Sequence, residues 1–150
     1  MNLDELKMIL VPTDFSEASF SVLGTAIRLA QTFRAAVHVL HVHIDPTFTV
    51  PLDDLATAPM DLDGAREVIT ERLDRMAEQV KQAGVACTTA SVSGRTPMEI
   101  VDHARQVGAG LIVVGSHHRH GIDRVLLGSV AEKVVQHAPC PMLVLPLQGN

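Results

Sequence analysis

Short runs of apolar residues alternate along the chain with longer segments whose apolar residues recur every three or four positions. The first run, Met8-Ile9-Leu10-Val11, is apolar at consecutive positions, which is typical of a strand buried on both faces of a parallel sheet. Similar runs predict further strands over 36–43, 85–92, 111–114 and 140–145. Five short strands are therefore predicted, each separated from the next by a segment of different periodicity.

The segments between the predicted strands have helical periodicity. Apolar positions within 22–33 fall on one helical face, and those within 64–83 do the same, with Gly84 as the expected stop of that second helix. The predicted N-caps of the first, third and fourth helices are Ser16, Thr96 and Ser129. In the last two, a glutamate three residues further on completes a capping box, and the helices are predicted to end near Gly108 and His137.

Strand and helix alternate from one end of the chain to the other, which predicts an α/β fold: an open five-stranded parallel sheet with helices on both faces. The length of 150 residues suits a single domain over 1–150. One connection is long, from about 44 to 62, where prolines and aspartates are frequent and basic residues are absent. We expect a surface loop there, with a lid or a partner-facing segment as the alternative.

Composition narrows the classes of protein. With 47% hydrophobic and 19% charged residues the chain is globular rather than disordered. A net charge of -5 and the lack of Trp and Tyr argue against a nucleic-acid partner. No apolar run approaches the roughly 20 residues that span a bilayer, and the acidic start does not resemble a signal peptide. Cys87 and Cys140 form no disulfide framework, so we expect a cytoplasmic protein with reduced thiols and no membrane partner.

Candidate binding residues follow the first and fourth predicted strands. Ligands of open parallel sheets bind beyond the carboxyl ends of the strands, where the strand order reverses. The first strand leads into Pro12, Thr13 and Asp14, and the fourth leads into a segment that ends where a capped helix begins. Gly115 and Gly128 in that segment allow close approach of a ligand to the backbone, and free N–H groups at the helix start favour a phosphate.

Several of these residues have a second interpretation. The Ser129 hydroxyl can coordinate a phosphate or cap its own helix, and Asp14 can accept a bond from a ligand or serve as a solvated turn residue. The basic segment contains His117, His118, Arg119, His120 and Arg124. No cysteine or carboxylate completes a metal-ligand set there, so no metal site is predicted. The chain also lacks a Gly-x-Ser-x-Gly elbow and a Gly-x-x-x-x-Gly-Lys-Ser/Thr loop, and no catalytic residue is predicted.

Three stretches of sequence carry a family resemblance: Ile-Leu-Val-Pro-Thr-Asp-Phe-Ser at 9–16, Val-Leu-His-Val at 39–42, and 115–130 followed by His-Ala-Pro-Cys-Pro-Met-Leu-Val-Leu at 137–145. With them the chain resembles the universal stress protein family over 8–146. The nucleotide-binding branch of that family carries Gly-x-x-Gly, nine residues, and then Gly-Ser or Gly-Thr. Gly115 fits the first glycine and Gly128 with Ser129 fits the final pair, whereas His118 occupies the position of the second glycine.

The resemblance implies a Rossmann-like fold of the adenine nucleotide α-hydrolase type, with the first and fourth strands adjacent. It implies adenine and ribose near Pro12, Thr13, Asp14 and Val42, and phosphates along Gly115, Ser116, His118, Arg119, Gly128, Ser129 and Val130. The implied ligand is ATP, with ADP and AMP as alternatives and Mg²⁺ only as a counter-ion of the nucleotide.

The resemblance also implies a homodimer that pairs through the C-terminal strand and acts in stress response or signalling on a protein client that the sequence does not identify. Slow ATP hydrolysis is the most activity expected. Because His118 replaces a motif glycine, a nucleotide-free interaction protein of the same fold is the alternative. An adenine-binding enzyme of the pyrophosphatase type is not expected, since 12–16 lack the Ser-Gly-Gly-x-Asp-Ser loop of that group.

Overall fold

The computed structural model describes residues 5–44, 62–116 and 127–146. Within these ranges the strands are β1 (Met8–Thr13), β2 (Ala36–His43), β3 (Cys87–Ser93), β4 (Leu111–Ser116) and β5 (Met142–Pro146). The helices are α1 (Glu17–Phe33), α2 (Leu62–Gln82), α3 (Thr96–Gln106) and α4 (Ser129–His137). The alternation of strand and helix predicted from the sequence is confirmed. Most of the proline-rich connection lies outside the described residues.

All five strands are parallel and lie in the order β3-β2-β1-β4-β5. The chain first builds outward from β1 through β2 to β3, and then crosses to the other side of β1 to add β4 and β5. The switch point therefore lies between β1 and β4, which are neighbours as the family resemblance implied. In open α/β sheets this is where the helices diverge and leave a crevice for a ligand.

Two apolar clusters hold the helices to the sheet. On one face α1 and α2 cover a cluster that contains Ile9, Val11, Val37 and Val39, all fully buried. On the other face α3 and α4 cover a second cluster built on Leu10, Leu40 and Ile112. Each fully buried side chain of this size contributes about 1.5–3 kcal/mol through the hydrophobic effect. In the described ranges no helix is long and apolar enough to cross a membrane.

The helix starts confirm one predicted cap and correct two others. Ser16 is the N-cap of α1, and its Oγ accepts a hydrogen bond from the Ser19 N–H at 3.3 Å. The prediction that Thr96 and Ser129 are N-caps was wrong, because both are the first helical residues. The N-caps are Arg95 and Gly128, whose carbonyls accept the first intrahelical bonds of α3 and α4, and neither helix has a side-chain cap.

β1 and β4 each run two residues further than the apolar pattern predicted. β1 continues to Thr13 because its pairing with β2 continues, with Pro12 opposite Leu40. β4 continues to Ser116 because Gly115 and Ser116 pair with the end of β5. The candidate residues at these positions therefore belong to the ends of strands rather than to loops. Strand pairing fixes their backbone, which makes them a rigid edge for a site.

Both cysteines are free thiols that lie partly buried against the core. Cys87 packs on the cluster under α1 and α2, and Cys140 packs on the cluster under α3 and α4. Burial raises the pKa of each thiol, and in Cys87 this outweighs the opposite effect of Lys81. Both thiols are therefore predominantly protonated near neutral pH and poor nucleophiles.

Candidate functional site

A cavity of about 580 Å³ lies at the switch point, beyond the carboxyl ends of β1 and β4. Its walls come from the ends of β1, β2 and β4, from the first turns of α1 and α4, and from α3. The predicted site residues that line it are Pro12, Thr13, Asp14, Val42, Gly115, Gly128, Ser129 and Val130. The volume is in the range of about 300–1,000 Å³ that is usual for small-molecule sites.

The other predicted site residues, Ser116, His118 and Arg119, are not among the described residues that line the cavity. Ser116 is only 1% exposed, and its hydroxyl donates to the Leu145 carbonyl on β5 at 3.2 Å. Ser116 therefore joins β4 to β5. His118 and Arg119 lie outside the described residues.

The floor of the cavity is apolar and was not recognised from the sequence as part of a site. It is formed by Leu40, Ile100, Val114 and Val134, which the sequence placed on predicted strands and helices without indicating a site. The available signal was the face shared by Leu40 and Val42, two residues apart on β2. Such a floor accommodates a flat, weakly polar ring and excludes water from one side of it.

Asp14 lies at the turn that joins β1 to α1. Its Oδ1 accepts hydrogen bonds from the Ser16 N–H at 3.0 Å and the Ser19 hydroxyl at 2.6 Å. The carboxylate thus lies at the start of α1, where the helix dipole favours a negative charge. The two interpretations of Asp14 are compatible: it stabilises the turn, and it lines the cavity where it can accept a ligand hydroxyl.

Phe15 stabilises this turn through contacts with β2 and α2. Its φ of 63° is in the left-handed region that non-glycine residues rarely adopt. The ring stacks on His41 of β2 with centroids 4.3 Å apart, and the Arg72 guanidinium of α2 lies 5.6 Å from the ring centroid. The His41 Nδ1 donates to the Thr13 carbonyl at 2.9 Å, since a carbonyl only accepts. These contacts hold Thr13 and Asp14 at the cavity wall.

The start of α4 forms another part of the cavity wall. Gly128 has an extended backbone (φ -62°, ψ 156°), and its carbonyl accepts from the Glu132 N–H at 2.9 Å. The N–H groups of the three residues between them have no partner within the helix, as in the first turn of any α-helix. Together with the helix dipole they attract an anion. A Cβ added to Gly128 would meet no atom within 4 Å, so space is open beside this backbone.

We expect the two serines at helix starts to differ in their effect on stability. Ser16→Ala removes a side-chain cap and should lower the free energy of unfolding by about 1 kcal/mol. Ser129→Ala removes a hydroxyl that makes no cap bond and should change it by less than about 0.5 kcal/mol. Urea unfolding of both variants beside the wild type measures the difference. Equal losses would show that Ser129 caps α4 after all.

The arrangement is suited to binding more than to acid–base chemistry. Among the described lining residues Asp14 has the one ionisable side chain, so no pair of groups divides the roles of acid and base. In the same described ranges no cluster of three or more His, Cys, Asp or Glu could hold a metal ion. An apolar floor, a carboxylate and a helix N-terminus in the wall of one cavity suit a flat ligand with hydroxyl groups and an anionic tail.

The universal stress protein family model matches residues 5–146 of the chain. Universal stress protein MJ0531 of Methanocaldococcus jannaschii is 34% identical over 140 residues, which cover 93% of this chain and 81% of that protein. The solved structure of MJ0577 has a TM-score of 0.78 at 26% identity and covers 97% of this chain and 99% of that one. MJ0577 is itself named a universal stress protein of the same organism.

Two further universal stress protein structures contain adenine nucleotides. One is a complex with cAMP (TM-score 0.68, covering 94% of this chain and 97% of that one). The other, from Archaeoglobus fulgidus, is a complex with dAMP (TM-score 0.63, covering 93% and 96%). Both are 22% identical to this chain and show the shared Rossmann-like fold. The match of the family model over nearly all of the sequence, on a sheet of the same fold, shows that this chain belongs to the universal stress protein family.

Proposed function

We propose that this protein binds an adenine nucleotide in the cavity between β1 and β4 and acts as a regulatory homodimer in stress response or signalling. The observation that carries the proposal is the cavity itself, which combines an apolar floor with a helix N-terminus at one end. The first feature suits a purine, and the second suits its phosphates. Relatives whose structures are complexes with cAMP and dAMP support the same ligand class.

The cavity walls suggest an orientation for the nucleotide. Adenine would lie on the floor, against Leu40 and Val42, and the ribose hydroxyls would face the Asp14 carboxylate. The phosphates would approach Gly128 and the backbone N–H groups of the first turn of α4. ATP is the proposed ligand, with ADP and AMP as alternatives, because backbone donors distinguish poorly between phosphate chains of different length. Mg²⁺ would enter only as a counter-ion of the phosphates.

We assign no efficient catalysis to the site, and at most slow ATP hydrolysis. A single carboxylate that is already hydrogen-bonded to Ser16 and Ser19 is a weak candidate for activating water. The nucleotide-free alternative, which rests on His118, is not favoured, because the cavity formed by the described residues has space for a nucleotide. The free, partly buried thiols fit the proposed cytoplasmic location.

Assembly is the second part of the proposal. β5 pairs with β4 along one side, and the described residues place no strand on its other side. An apolar strand edge of this kind promotes association with another strand, and a symmetry-related β5 would satisfy it. The dimer would join two sheets and leave both cavities open.

Mass spectrometry of protein purified without added nucleotide tests the ligand assignment. We expect an adenine nucleotide in the denatured extract, and after it is removed, a calorimetric titration that gives one ATP site per chain. GTP is the control and should bind at least about tenfold more weakly, which is a difference of ~1.4 kcal/mol. The absence of a bound nucleotide, combined with no heat of binding for ATP, ADP or AMP at millimolar concentration, would contradict the proposal.

A further inference from the structure

Two histidines, the buried His38 and the half-buried His103, contact each other on the face of the sheet that carries the cavity floor. His38 on β2 is 6% exposed, and its Nε2 lies 2.9 Å from the Nε2 of His103 on α3. The other ring nitrogen of His38, Nδ1, lies 2.7 Å from the Thr88 hydroxyl of β3. The two rings are nearly parallel, with an angle of 27° between their planes. The pair therefore joins a strand to a helix through side chains 65 residues apart in sequence.

The short distance between the two Nε2 atoms restricts the protons that the pair can hold. A hydrogen bond between them requires one hydrogen, so one Nε2 donates and the other accepts. One additional proton on the pair leaves this bond intact, because one of the two Nε2 atoms can still accept. A second additional proton would place two N–H groups against each other and remove the bond. The folded pair thus binds one proton fewer than two separate histidines at acid pH.

The elements around His38 supply no close anion that would stabilise an imidazolium there. Its register partners are Leu10 on β1 and Thr88 on β3, and α1 and α2 cover the opposite face of the sheet. On α3 the Asp102 carboxylate is exposed and pairs with Arg105 at 2.9 Å. The other acidic residue of α3, Glu99, lies over Gly94. On α4 the charged or titratable residues are Glu132, Lys133 and His137, and all three are exposed. Burial first, and the charge of His103 second, lower the pKa of His38 from 6.5 to about 4.

The position of the pair connects it to the cavity. His38 precedes Leu40 by two residues on the same face of β2, and His103 follows Ile100 by one turn of α3. Leu40 and Ile100 both form the cavity floor. The contact between the imidazoles therefore acts together with the apolar packing of Ile100 in setting the distance between the strand and the helix that carry this floor.

We propose that the His38–His103 pair is a proton-sensitive latch, which holds α3 on the sheet at neutral pH and releases this wall of the cavity when both imidazoles become charged. The latch itself follows from the packing of the two rings. Its consequence for the nucleotide, weaker binding at acid pH, rests on the function proposed above.

The direction of the pH effect follows from the lowered pKa. In the unfolded chain the His38 imidazole takes up a proton near pH 6.5, whereas in the folded chain it does so only near pH 4. The neutral His38 imidazole therefore makes its full contribution to stability above about pH 6.5. This contribution is lost as the pH falls from 6.5 to about 4. One excluded proton changes the unfolding equilibrium constant by about tenfold per pH unit.

Urea unfolding as a function of pH tests the latch without any ligand. Between pH 6 and pH 5 we expect the unfolding equilibrium constant of the wild type to rise about tenfold more than that of His38→Gln, which excludes no proton. His137→Gln is the matched control, because His137 is exposed on α4, and it should keep the wild-type pH dependence. A His38→Gln variant with the wild-type pH dependence would overturn the proposal.

Two measurements on the wild type complete the test if His38→Gln does not fold. Nitrogen NMR of the imidazoles should show His38 still neutral at pH 5.5, whereas charging near pH 6.5 in the folded protein would overturn the latch. Calorimetry should show ATP affinity falling only as the pH approaches 4, where His38 of the folded protein becomes charged. No ATP binding at any pH, with His38 still neutral at pH 5.5, would contradict the proposed function and still support the latch.

Discussion

Replacing Gly128 with valine is expected to weaken ATP binding by about a hundredfold, which corresponds to ~2.7 kcal/mol, without lowering the stability of the fold. The extended backbone of Gly128 accommodates a β-branched residue, and an added Cβ would meet no atom within 4 Å. The new side chain would therefore occupy cavity space rather than displace the core. That space is where the proposed phosphates would meet the first turn of α4.

Gly24→Ala provides the matched control for the Gly128 substitution. Gly24 lies within α1, and a Cβ added there also meets no atom within 4 Å. Alanine should raise the free energy of unfolding by about 1 kcal/mol, because it favours the helix more than glycine does. ATP affinity should not change, because Gly24 is not among the described cavity-lining residues. Calorimetric titration of both variants measures the effect. Undiminished affinity in Gly128→Val would place the nucleotide elsewhere.

The second large effect is expected at the edge of the sheet. Val144→Lys should convert the proposed dimer to a folded monomer at micromolar concentration, because the lysine ammonium would be brought against the partner's apolar strand. Removing such a charge from water without a counter-ion costs several kcal/mol. Val144 lies in the middle of β5 and is partly exposed, so the fold itself should tolerate the lysine side chain.

Light scattering measures the mass, and Val68→Lys is the matched control for this substitution. Val68 is 48% exposed on α2, which packs on β2 and β3 at the other end of the sheet from β5. This variant should keep the dimer mass. A wild-type protein that is monomeric, or a Val144→Lys protein that stays dimeric, would contradict pairing through β5.

The strands and their order of occurrence could be predicted from sequence because both faces of a parallel sheet are covered. Such coverage requires consecutive apolar residues like those of β1 and β4, and short runs of this kind are uncommon in surface loops. The helix starts were less predictable. Serine and threonine suit the N-cap and are also tolerated one residue later, and the first intrahelical hydrogen bonds of α3 and α4 are accepted by Arg95 and Gly128 instead.

The cavity illustrates what a single sequence leaves open. Motif residues such as Asp14 and Gly128 could be identified as site residues from the sequence, because the chemistry of turns and helix starts depends on neighbouring residues in the chain. The apolar floor could not, since Leu40 and Ile100 meet only after β2 and α3 have taken their places in the sheet. The contact between His38 and His103 depends on the same long-range packing, and nothing near either residue in the sequence indicates it.

The central claim is that adenine nucleotides bind between β1 and β4, and amide NMR spectra recorded during a titration with ATP test it most directly. We predict saturable shifts at Thr13, Val42, Gly115 and Gly128, which line the cavity. Residues at the far ends of the strands, such as Ala36 and Cys87, should not shift. Shifts confined to other surfaces, or no shifts at millimolar ATP, would contradict the account.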